Sequence, residues 1–207
     1  MAGTMNEIDG SRSGASGRGD RRPGIIICAY DGDDTGWDLV EDLSGEIWSP
    51  AGARAVPVPA ADPDALAATL AARLGSGDCR AVLLVGRTKS DGFRVQMRAE
   101  NRTLDYKHRL SSTGPGVARS TAPVADILRA LTAAGLQADA SSEAEEDAGS
   151  YLLYRVLADL PDGHLTPSIG LLRAPAPAGE AIVRKGVKAA ASAMASHLTP
   201  LPAPRAG

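Results

Sequence analysis

An α/β fold, with a mostly parallel sheet covered by helices on both faces in three layers, is what this sequence of 207 residues predicts. Short runs of consecutive apolar residues, such as Gly24–Ala29 (GIIICA) and Ala81–Val85 (AVLLV), lack polar alternation, as strands buried on both faces require. Longer runs with apolar residues at helical spacing fall between them. The two kinds of run alternate along the chain, the order that crossover-connected parallel strands produce.

The first strand is Gly24–Ala29. Arg54–Pro59 (RAVPVP) predicts a second one, confined to a sheet edge because its prolines cannot donate to a neighbour. Asp62 and Pro63 supply an N-cap and a first-turn proline; Leu66, Leu70 and Leu74 follow on one helical face, and Gly75 closes the helix. Ala81–Val85 is a second central strand, ending at Gly86. Residues Phe93–Asp105 form extended structure, and Ser111–Gly116 is a loop. Thr121-Ala122-Pro123 opens a helix with Val124, Ile127, Leu128 and Leu131 on one face, stopped by Gly135. Leu136–Ser141 is a strand, Asp147–Leu160 a helix, Ser168–Leu172 the last strand and Gly179–Leu198 the last helix. The ends read differently. Met1–Pro23 is polar and Gly-rich, a disordered tail whose Arg18, Arg21 and Arg22 are solvated, and Thr199–Gly207 is Pro-rich and extended. Residues 24–198, roughly 175 in number, are the size of one domain.

Apolar residues make up 43% of the chain and aromatic ones 3%, so the core must be built from Ala, Val, Leu and Ile. A formal net charge of −3 gives no electrostatic reason for a nucleic-acid or anionic-membrane partner. No apolar run reaches the ~20 residues of a membrane span. With no secretory signal at the start and two cysteines, Cys28 and Cys79, the expected location is the cytoplasm with both thiols reduced. The cysteines and the three histidines (His108, His164, His197) have no metal-ligand spacing, and no Walker, Rossmann or G-x-S-x-G pattern occurs, so neither a metal nor a cofactor is expected.

Three stretches carry more. Gly114-Pro115 is followed by Ser120-Thr121-Ala122-Pro123 at the opening of a helix. Asp147-Ala148-Gly149-Ser150-Tyr151-Leu152 leads into the next helix, and Gly170-Leu171-Leu172-Arg173-Ala174-Pro175 is the last strand. In this order they resemble pyroglutamyl peptidase I, the cysteine peptidase family that removes N-terminal pyroglutamate. The likeness runs over most of residues 24–198 and implies that family's α/β/α sandwich; it also allows a homo-oligomer.

The resemblance implies a catalytic cysteine at Leu153, its histidine base at Arg173 and the acidic third member at Gln96, with Glu100 an alternative if the alignment slips. It places the substrate-pocket loop at Cys28–Asp34, where Tyr30 is the one aromatic residue left. Leucine has no lone pair with which to attack, and arginine stays protonated and cannot act as a base. The expectation is therefore a protein of this family without peptidase activity, binding a small anionic or peptide-terminal ligand in the former cleft through Tyr30, Asp31, Arg98 and Arg173. Arg98 and Arg173 either converge on that anion or pair with the acidic residues Asp31, Asp33, Asp34, Glu145, Glu146 and Asp147. The competing expectation is a hydrolase with altered amide chemistry using Glu100, His164 or Cys28, or a residual pyroglutamyl peptidase. Cys28 is read either as a relocated nucleophile or as a small buried residue, His164 as a loop histidine, and Ser150 as a helix-start serine that caps or faces solvent.

Overall fold

The computed structural model describes residues 20–30, 48–59, 61–160 and 166–201. Within them the chain runs β1 (Gly24–Ala29), β2 (Arg54–Val58), α1 (Pro63–Gly75), β3 (Cys79–Thr88), β4 (Phe93–Gln96), β5 (Arg98–Glu100), β6 (Val117–Arg119), α2 (Val124–Ala133), β7 (Ala138–Ser141), α3 (Ala148–Ala158), β8 (Ser168–Pro175) and α4 (Glu180–Ala195). Six strands form one sheet in the order β2-β1-β3-β8-β4-β7. β2, β1, β3 and β8 are mutually parallel; β4 runs antiparallel to β8 and parallel to β7, so the sheet is mixed but mostly parallel.

Side-chain alternation sorts the strands' residues between two apolar layers. Ile25, Ile27, Leu83, Val85, Leu172 and Ala174 point to one face, where Ile127 and Leu131 of α2 and Val183, Val187 and Met194 of α4 cover them. Ile26, Cys28, Val82, Leu84, Ile169 and Leu171 point to the other, beneath Leu66 and Leu70 of α1 and Leu152 and Leu153 of α3. The central strands are inaccessible on both sides, so each of these large side chains contributes about 1.5–3 kcal/mol of burial.

The element ends follow local chemistry. The Asp62 carboxylate accepts from the backbone N–H groups of Asp64 and Ala65 at 3.0 and 3.3 Å and starts α1 beside Pro63. Gly75 is the last helical residue rather than the stop, which falls at Ser76. β2, with Pro57, takes the expected edge. The extended run Phe93–Asp105 divides at Met97. β4 stays in the main sheet, whereas β5 pairs with β6 in a separate two-stranded ribbon, and extended structure stops at Glu100. β6 has three residues with only its middle one buried, too short for alternation to show.

Residues 20–23 and 199–201, assigned to the tails by the sequence, are tied to each other. The Leu201 N–H donates to the Arg21 carbonyl at 3.1 Å, and Arg21 Nη2 donates to the Leu201 carbonyl at 3.0 Å. Among the described residues no helix is long and apolar enough to cross a membrane.

Candidate functional site

Alternation along β8 puts Arg173 on the same face as Ile169 and Leu171, aimed at α3 rather than at α4. On β4 the same rule turns Gln96 that way, and the antiparallel register sets Gln96 opposite Leu171 and diagonal to Arg173. The start of α3 completes the arrangement. The Asp147 carboxylate caps the helix, accepting from the Ser150 N–H at 2.9 Å, and thereby stands over the strand ends with Ser150.

A buried polar centre results. Arg173 is 0% exposed. Its Nε and Nη2 donate to Gln96 Oε1 at 3.1 and 3.0 Å, and its Nη2 also donates to Asp147 Oδ1 at 2.8 Å and to Ser150 Oγ at 3.1 Å. Nη1 donates to the Tyr30 hydroxyl at 2.8 Å, to the Arg87 carbonyl at 3.4 Å and, in a close ion pair, to Asp147 Oδ2. Glu145 Oε2 lies 3.7 Å from Nη1, and Glu145 Oε1 accepts from Thr88 Oγ1 at 2.8 Å. Gln96 is held in turn, its Nε2 donating to the Arg98 carbonyl at 2.8 Å and to Ser150 Oγ at 3.0 Å. Each guanidinium nitrogen thus has acceptors inside the chain, as a buried arginine requires.

The electrostatics follow from these contacts. Burial pushes the Asp147 carboxyl up, but the hydrogen bonds and charge of Arg173 outweigh it and hold the group below the usual carboxylate value. Burial pulls the Arg173 guanidinium down, and the hydrogen bonds and charges of Asp147, Tyr30 and Glu145 raise it on balance. Burial pushes the Tyr30 phenol up despite the nearby guanidinium. Arg173 and Asp147 cancel, and Glu145 leaves the centre with a surplus of negative charge.

The residues named from sequence separate on this map. Gln96 and Arg173 come together. Leu153 is fully buried in the apolar layer one helical turn beyond Ser150, and it is Ser150, 2% exposed rather than facing solvent, that touches both of the others. Tyr30 joins the centre. Arg98, expected to approach it beside Arg173, is 43% exposed with Nη2 3.9 Å from Glu100, because the chain leaves the main sheet at Met97 and enters the ribbon. Arg173 pairs with Asp147 and Glu145, two of the carboxylates expected for it, whereas Arg98 is paired with Glu100, which was not among them. Glu100 stands between Arg98 and Arg102 on the ribbon. Cys28 lies in the apolar layer beneath α1 and α3, where burial pushes its thiol up to about 12, the opposite of an activated nucleophile. Asp31, Asp33, Asp34 and His164 lie outside the described residues.

Two participants escaped the sequence. Thr88 ends β3 and orients Glu145. Tyr106, in the left-handed backbone region at φ 57°, sends its hydroxyl to the Glu145 carbonyl at 2.8 Å and accepts from the Asp147 N–H at 3.1 Å. A lone tyrosine in a polar loop gives no signal of this. Among the described residues no group of three His, Cys, Asp or Glu is placed to hold a metal ion.

No protein-family model matches the sequence, and a search of curated proteins finds no match. Solved structures do match. Pyroglutamyl peptidase I from Bacillus amyloliquefaciens superposes with a TM-score of 0.68 at 18% identity, covering 85% of this chain and 96% of that one. Pyrrolidone carboxyl peptidase from Thermococcus litoralis gives 0.70 at 13% identity, covering 84% and 94%. The enzyme from Thermus thermophilus gives 0.59 at 18%, covering 82% and 98%. The chain has the α/β fold of the pyroglutamyl peptidases.

Proposed function

We propose that this chain is a pyroglutamyl-peptidase-like protein without peptidase activity, retaining the fold as a binding or subunit scaffold. The observation that supports this most is the commitment of Arg173. A general base must be able to lose and regain a proton near its reacting partner, whereas Arg173 is a permanent cation whose donors are all used by Gln96, Asp147, Ser150, Tyr30 and Arg87. The residue that the resemblance sets in the place of the nucleophile is a buried hydrocarbon, Leu153. Among the described residues, the partners of Ser150 are Gln96, Arg173, Tyr106 and the helix cap, with no imidazole or free carboxylate. The altered-hydrolase reading loses support from Cys28, whose raised thiol pKa disfavours the thiolate at neutral pH.

In this reading the cleft takes a small molecule or a peptide terminus without cutting it. The expected anion is the weaker choice, since Arg173 is already neutralised and the partly exposed carboxylates are those of Asp147 and Glu145. A terminus bearing a free amine suits that charge better. A cytoplasmic setting with both thiols reduced belongs to the same proposal, as does a homo-oligomer.

The test is covalent labelling followed by intact-mass measurement. The folded chain, incubated at pH 7.5 with a pyroglutamyl chloromethyl ketone or with iodoacetamide, keeps its unmodified mass, and in denaturant iodoacetamide adds to Cys28 and Cys79. Rapid single-site modification of the folded chain by the pyroglutamyl reagent would sink the proposal.

A further inference from the structure

Tyr30 stands at the end of β1 and is 9% exposed, packed in the layer between the sheet and α3. Two glycines make room for it from opposite sides. A Cβ on Gly86, two residues before β3 ends at Thr88, would sit 2.0 Å from the Tyr30 hydroxyl oxygen and 2.1 Å from Cζ. A Cβ on Gly149, in the first turn of α3, would sit 2.3 Å from Cζ and 2.4 Å from the hydroxyl oxygen. No side chain larger than hydrogen fits at either place while the ring is present. At the end of this slot the hydroxyl accepts from Arg173 Nη1 at 2.8 Å and donates to Asp147 Oδ2 at 3.2 Å. One polar atom therefore meets a cation donor and a carboxylate acceptor at once, which a neutral hydroxyl satisfies. A carboxylate or phosphate could accept from Arg173 but would face Asp147 and Glu145 at close range.

We infer that Tyr30 acts as a built-in ligand, its side chain filling a slot for a neutral phenol formed by Gly86, Gly149, Arg173 and Asp147. This slot is filled by the chain's own ring, any ligand of the cleft binds outside it, and the class of molecule able to replace the ring is a phenol rather than an anion. Burial of the ring keeps the phenol protonated and so suits it to this pair of partners. The inference is independent of whether the chain hydrolyses peptides.

Removal of the ring with the slot left intact tests it. Tyr30→Ala opens a phenol-sized space whose polar end and glycine walls remain. Phenol at millimolar concentration is expected to raise the Tm of Tyr30→Ala saturably by about 2–4 °C, the response to about a fivefold excess over Kd in a chain of this size. Toluene, lacking the hydroxyl, produces a smaller shift, and wild-type protein produces none. If Tyr30→Ala does not fold alone, phenol in the refolding buffer restores soluble, cooperatively melting protein. Gly86→Ala lowers the Tm of the wild type, whereas in Tyr30→Ala it leaves the ligand-free Tm unchanged, or where that variant needs phenol to fold it abolishes the recovery, because the added Cβ occupies the emptied slot. Equal shifts in wild type and variant, no shift or recovery with phenol, or a Gly86→Ala effect that does not depend on residue 30 would each overturn the inference.

Discussion

Arg173→Ala is expected to destabilise the fold by about 3–5 kcal/mol, among the largest single effects available in this chain. Two losses add. The carboxylates of Asp147 and Glu145 are left beside a cavity without their cation, and of the nearly inaccessible Gln96 and Ser150 the first loses two donors and the second one. The Asp147 side chain is 32% exposed, so water can reach it, and this moves the expectation toward the lower end of that range. Removing both charges together should cost less than removing the cation alone. Arg173→Met with Asp147→Ser keeps a capping oxygen at the start of α3 and leaves only the partly exposed Glu145 carboxylate without its cation, so the double variant is expected to be more stable than Arg173→Ala. Urea unfolding of the three proteins measures this. A loss below about 1 kcal/mol in Arg173→Ala would mean that the centre is not structural.

Acid should loosen the same centre. The folded-state pKa of Asp147 lies below its unfolded value of about 3.9, so its contribution is fully present above that pH. As pH falls through the depressed folded value, the unfolded chain binds the proton first and the contribution is lost. Protonation weakens the cap on α3 and the pair with Arg173 together. Asp147→Asn is therefore expected to be destabilised at pH 7 and to show a flatter stability profile below about pH 4 than the wild type. Parallel profiles for the two proteins, from urea titrations at each pH, would remove Asp147 from this role.

The layered fold was readable because its signals are local. GIIICA and AVLLV can only be strands covered on both sides, and Asp62-Pro63 can hardly be anything but a helix start. The polar centre was only half readable. Gln96 and Arg173 lie on neighbouring strands that no local pattern pairs, and the resemblance alone suggested their meeting. The convergence of Arg98 with Arg173 failed because Met97 ends β4, so residues two apart lie in different sheets rather than on one strand. Ser150 read as a helix-start serine that caps or faces solvent, yet it is buried, its N–H bonded to the Asp147 cap. Tyr30 was legible as the surviving aromatic residue of its loop. Its fit between Gly86 and Gly149 depends on residues 56 and 119 positions away, and no sequence period reports that.

Turnover of pyroglutamyl-β-naphthylamide by the intact chain bears most directly on the claim that this peptidase fold carries a structural ion pair in place of reactive chemistry. Naphthylamine should appear at the rate seen in buffer, independent of protein concentration. A rate that rises in proportion to protein and disappears in Ser150→Ala or Cys28→Ser would contradict it.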